Sequence, residues 1–143
     1  MKKILIITLL LNCTFSLIYG QKYITRNGKT EFKASVEMFE PIEAVNKSTT
    51  AILNTETGDV AALLLVKAFH FKVALMEEHF NENYMHSEQY PKASFKGKII
   101  EFALDKIDED YHQFDLIGSI KIKGIEREIS TIAEIKKVGE TLF

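Results

Sequence analysis

His70, His79, His86 and His112 are the side chains best suited to move a proton or hold a metal near neutral pH. His79 and His86 stand seven residues apart, about two helical turns, with Glu82 between them. Zinc sites take about three or four protein ligands at recognised spacings, and this trio has no such spacing. It reads as the wet edge of a helix. Ser87 lies between His86 and Glu88, but adjacency in sequence is not the geometry of a catalytic triad. Asp108-Glu109-Asp110 lacks the spacing and the glycine of a calcium loop and reads as a solvated acidic turn. No glycine-rich phosphate loop follows a strand, and no Gly-x-Ser-x-Gly elbow occurs. Nothing in this inventory argues for an enzyme or for a metal or other cofactor.

The apolar residues say more. Phe69, Phe71, Leu75, Met76, Phe80, Tyr84, Met85, Tyr90 and Phe95 crowd into fewer than thirty positions. Each alone reads as ordinary core. As a set they are heavy for one short segment, and an apolar cavity with few polar groups is the usual form of a lipid site.

Those residues must be positioned by the surrounding elements. Leu75, Met76, His79, Phe80, Asn83 and Tyr84 recur at steps of three and four, which predicts a short helix inserted around residues 72–85. It should end near His86, ahead of Tyr90-Pro91. Everything else alternates as strands do. Residues 23–25 and 30–36 flank Asn27-Gly28, so a hairpin with a tight turn is expected there. Pro41 marks a connection. Residues 43–54 and 60–71 flank the turn cluster Thr55-Glu56-Thr57-Gly58-Asp59 and read as a second hairpin, with a helix from Val60 as the competing reading. Residues 93–104, 114–124 and 125–136 are further strands, Gly124 marks a turn, and another strand opens after Gly139. Strands joined hairpin by hairpin, with one apolar face, form a meander that packs on a partner or closes into a β-barrel. The helix would cap the open end. The inward glycines Gly97 and Gly118 would leave room or allow bending.

At 143 residues, 46% hydrophobic and 27% charged, the chain suits one domain with a real core. The formal charge of −2 carries no footprint for nucleic acid. Met1-Lys2-Lys3, the apolar run through residues 4–11 and Gly20 have the layout of a secretory signal, residues 1–20, with a retained membrane anchor as the runner-up. Cleavage would remove Lys2 and Lys3, leaving a charge of about −4 on residues 21–143 and no membrane span. It would also discard Cys13, the single cysteine, whose predecessor Asn12 is too large for lipoprotein processing. A periplasmic or secreted location follows from that reading.

Two stretches resemble the YceI-like family. One runs from His79-Phe80-Asn81-Glu82 through Tyr90-Pro91-Lys92-Ala93-Ser94-Phe95-Lys96. The other is Ile120-Lys121-Ile122-Lys123-Gly124-Ile125-Glu126-Arg127, about thirty residues on. The pair, in order behind a secretion signal, is more specific than either alone. The resemblance runs from about Tyr23 to the end. It implies a lipocalin-like antiparallel barrel, no enzymatic activity, and an isoprenoid, quinone-like or fatty ligand held non-covalently in the lumen. Expected lumen residues are Phe32, Leu64, Val66, Phe69 and Phe71 on the early strands. Leu75, Met76, Phe80 and Tyr84 are expected from the helix, and Phe95, Ile99, Leu116 and Ile120 from the later strands. The family pattern continues past its second motif with a Phe-rich strand, a Tyr-Gly-Ile-like step and a closing strand. This sequence ends at Phe143 without them, so the last strands are expected to be missing, with an open edge that invites a homodimer. The alternative is a ligand-free module that pairs through that edge.

Overall fold

The computed structural model describes residues 22–34 and 42–143. The expected signal segment and the connection at Pro41 lie outside them. Nine strands are present among the described residues: β1 (Lys22–Ala34), β2 (Ile42–Asn54), β3 (Asp59–Leu65), β4 (His70–Phe71), β5 (Lys92–Ile99), β6 (His112–Ile122), β7 (Ile125–Ile135), β8 (Lys137–Val138) and β9 (Thr141–Leu142). One short helix, α1 (Ala74–His79), continues into a π-turn at Phe80–Tyr84. The antiparallel sheet runs β1-β2-β3-β5-β6-β7, with β4 folding back onto β2, and β8 and β9 form a separate hairpin. The architecture is therefore a curled antiparallel half-barrel with one short helix. Among the described residues β1 and β7 do not pair, so the sheet is open.

The expected hairpin at Asn27-Gly28 is instead a single strand. Lys22 to Ala34 pairs throughout with the equally long β2, from Lys22 opposite Asn54 to Ala34 opposite Ile42. An Asn-Gly pair is a turn signal only when the two arms have no better partner, and β2 is that partner. The register slips on either side of Gly28, which sits opposite Thr49. One extra residue falls on β1 before Gly28 and one on β2 after Asn46, so the two bulges compensate. Side chains staple both. Thr25 Oγ1 donates to Asn27 Oδ1, and Asn46 Oδ1 accepts from Ser48 N at 2.8 Å and from Ser48 Oγ at 2.9 Å. Asn46 is fully buried, and its Nδ2 donates to the Leu65 carbonyl at 2.9 Å. The bulge on β2 also turns both Asn46 and Thr49 inward, although they are three residues apart.

The expected strand over residues 60–71 breaks at a 3-10 turn, Val66–Ala68. Beyond it the chain touches β2 once more through β4, leaves the sheet, and returns at β5. The base of this excursion is closed by the Val66 amide donating to the Pro91 carbonyl at 2.9 Å. Proline has no donor to lose there, and its carbonyl does the pairing. Lys123 (φ 50°) and Gly124 (φ 76°) form the β6–β7 turn, both in the left-handed region that a type I′ hairpin requires.

The core lies on the concave face in two clusters. Ala44, Val66, Phe69 and Phe80 form the first, with Phe32, Leu64, Phe71, Met85 and Ala93 packed around them. Ile99, Ile107 and Ile135 form the second, flanked by Leu53, Val60, Phe102, Phe114, Leu116, Ala133 and Leu142.

Candidate functional site

Between the two clusters the concave face is lined by small side chains. Following the register, Thr25, Ala51, Ala62, Phe95 and Ile120 form one row across five strands. The adjacent row holds Gly28, Thr49, Leu64 and Ala93. On the other side Gly97 stands directly opposite Gly118. Small residues in facing rows cannot reach across to fill the space, and an apolar cavity of about 140 Å³ results. Thr30, Thr49, Ala62, Leu64, Ala93, Phe95 and Ile120 line it, and Leu63 and Ser94 border it.

The wall carries no ionisable side chain. Its two threonines share a hydrogen bond, Thr30 Oγ1 to Thr49 Oγ1, at 2.7 Å. Pairing them lowers the cost of keeping hydroxyls beside an apolar space. Two larger hollows lie elsewhere. One, of about 620 Å³, is lined by Lys67, Glu77, Glu78, Asn81, Glu82 and His86 among others. The second, of about 870 Å³, has Lys22, Asp105, Lys137 and Glu140 in its wall. Both carry charged side chains, so neither offers an apolar chain an uncharged surface.

The expected lumen residues divide into four groups. Leu64, Phe95 and Ile120 line the cavity. Phe32, Val66, Phe69, Phe71 and Phe80 pack with one another in the first cluster, whose Leu64 and Ala93 also wall the cavity. Ile99 and Leu116 belong to the second cluster. Leu75, Met76 and Tyr84 were expected to face the lumen, and here the structure corrects the sequence reading. They are 57%, 39% and 71% exposed. The main strand contact of α1 is the two-residue β4, too small a surface to cover an apolar helical face. Phe80 alone is driven in. Its ring lies 4.9 Å from that of Phe71, 5.5 Å from Phe32 and 5.7 Å from Phe69. These rings fill the space beneath the helix.

Sequence reasoning missed Thr30, Thr49, Ala62 and Ala93. A search for bulky apolar residues passes over the small ones that leave a void, and the β2 bulge hides the inward turn of Thr49.

The two sequence stretches that carry the family resemblance meet in space. The ring of Tyr90 packs on Gly124, and Lys123 Nζ donates to the Tyr84 carbonyl at 2.8 Å. The π-turn is thus tied to the β6–β7 hairpin. Glu77 secures the other end, its Oε2 accepting from the Phe71 amide at 3.1 Å. The described residues contain no group of three His, Cys, Asp or Glu side chains able to hold a metal ion, and His79, Glu82 and His86 form none.

A curled antiparallel half-barrel with an apolar hollow on its concave face defines a lipocalin-like class of protein. Within that class, the chain belongs to the YceI-like domain family, whose model matches residues 22–142. No curated protein sequence matches it. Among solved structures, the fold is similar to a polyisoprenoid binding domain from Saccharophagus degradans implicated in plant cell wall breakdown. That match has a TM-score of 0.71 at 9% identity and covers 83% of this chain and 69% of that one. It is also similar to the Campylobacter jejuni YceI protein, with a TM-score of 0.57 at 18% identity, covering 77% of this chain and 64% of that protein. The chain thus spans less than two thirds of the Campylobacter protein's length.

Proposed function

We propose that this protein binds an isoprenoid or other lipid-like amphiphile on the concave face of its half-barrel, and that it is a carrier rather than an enzyme. The observation that carries the reading is the uncharged cavity between the two packed clusters. An uncharged apolar wall selects a hydrocarbon chain and leaves a polar head group at the open side of the sheet. The polyisoprenoid binding domain with the same fold supports the choice of ligand class. The basic-apolar layout of residues 1–20 supports secretion to the bacterial envelope, followed by cleavage after Gly20. The test is native mass spectrometry of the protein purified gently from its own envelope. An apolar adduct released by organic solvent supports the reading, and a bare polypeptide mass from every preparation opposes it.

One observation favours a second reading, a module without ligand that adds a partner strand. Among the described residues β7 hydrogen bonds only with β6. Co-purification of a protein partner without lipid would favour it.

A further inference from the structure

Gly97 and Gly118 face each other across β5 and β6 with no side chain on the concave side. Glycine in a strand interior weakens it, and two in register leave a bare lane in the sheet. The ring of Phe95 occupies that lane. Its Cζ lies 2.6 Å from where a Cβ on Gly97 would stand and 2.8 Å from the same point on Gly118. The other side of the ring faces the cavity, of which Phe95 is a wall. Phe95 is only half-buried, and it makes none of the ring contacts that lock Phe80 among Phe32, Phe69 and Phe71.

The cavity as it stands is short. An apolar cavity of about 150 Å³ takes one benzene, so this one holds about one isoprene unit. At one end the cavity cannot lengthen without breaking the aromatic cluster. At the other end only the Phe95 ring stands between it and the glycine lane.

We infer that Phe95 is a displaceable plug that sets the length of chain this site admits. The inference rests on the proposed lipid-binding function. With the ring over the glycines, the site takes a short apolar group. When the ring swings off, the hydrocarbon lies where the ring was, over the bare backbone of Gly97 and Gly118. A Cβ on Gly118 would also stand 2.3 Å from the Lys96 carbonyl oxygen, so the lane admits no side chain of its own.

The test is a titration of the full chain with farnesol, followed by NMR. A ring held against Gly97 and Gly118 displaces their Hα resonances by its ring current. Farnesol binding that abolishes those shifts supports the plug. Binding that leaves them intact overturns the plug and leaves the lipid-binding reading standing. No binding by either the wild type or Phe95→Ala overturns both. Phe95→Ala should bind farnesol about tenfold more tightly, the weight of one aromatic packing contact no longer displaced. Phe95→Leu, which keeps an apolar filler, should fall between the two and covers the case in which the alanine variant fails to fold. Equal affinity for wild type and both folded variants counts against the plug.

Discussion

The ring of Tyr90 lies against Gly124, with its Cε1 3.0 Å from where a Cβ on that glycine would stand. This contact joins the returning end of the helical excursion to the turn of the β6–β7 hairpin. Gly124 serves twice, since its φ of 76° suits the type I′ turn and its bare Cα admits the ring. Gly124→Ala should lower stability by about 1–2 kcal/mol, the cost of an L-residue in the left-handed region. Urea unfolding measures this, and an unchanged midpoint would show that the turn relaxes freely.

Asn46 links β2 and β3 with one amide. Its Oδ1 pins the β2 bulge through Ser48, and its Nδ2 reaches the end of β3 at Leu65. Asn46→Ala should cost about 1–3 kcal/mol, because the Ser48 amide and the Leu65 carbonyl lose their partner. Asn46→Asp should be worse at neutral pH, since it removes the donor to Leu65 and buries a charge. Thermal unfolding of the two variants side by side gives the order, and a more stable aspartate variant would refute this account.

Phe80 is the buried apolar side chain by which the helical segment enters the core, with Met85 packed against the same cluster. Phe80→Ala should destabilise the protein by about 3–5 kcal/mol. Amide exchange in residues 74–85 should accelerate far more than in β6 and β7. Uniform acceleration across all strands would mean that the segment is not a separate unit.

How much of this was legible in the sequence can be argued from particular residues. Alternation places Phe95 with Gly97 on one face of β5 and Ile120 with Gly118 on one face of β6, and the register pairs them so, because nothing interrupts the period of two there. The Asn27-Gly28 region of β1 and the middle of β2 defeated the same reasoning. Compensating bulges at Gly28 and Asn46 restart the alternation, and no propensity marks a bulge that is stapled by Asn46 and Ser48. The helical period of residues 75–84 was genuine, but periodicity says which residues share a face and not whether a surface exists to cover it. β4 is too short to do so, and Leu75 and Met76 stay wet. The cavity was illegible for a third reason, since it is defined by the absence of side-chain volume at Ala62 and Ala93.

Acid should weaken the protein partly through Asp108. His112 Nε2 donates to its Oδ1 at 2.8 Å, and this bond, aided by the Asp110 amide, holds the carboxyl below its ordinary value of about 3.8. A carboxylate whose folded value is depressed contributes stability that is fully present above the unfolded value and is lost as pH falls through the folded one. Asp108→Asn should therefore flatten the pH dependence of stability below about pH 4, with little change at pH 7. Identical acid limbs for variant and wild type would show that the pair contributes nothing.

Photo-crosslinking with a diazirine-tagged isoprenoid alcohol, read by peptide mass spectrometry, tests the central claim most directly. Labels should fall on Leu64, Ala93, Phe95 and Ile120, the wall of the concave cavity. Labels confined to the exposed residues Leu65, Ile117 and Ile132, or no labelling that an untagged alcohol competes away, would contradict a lipid site on the concave face.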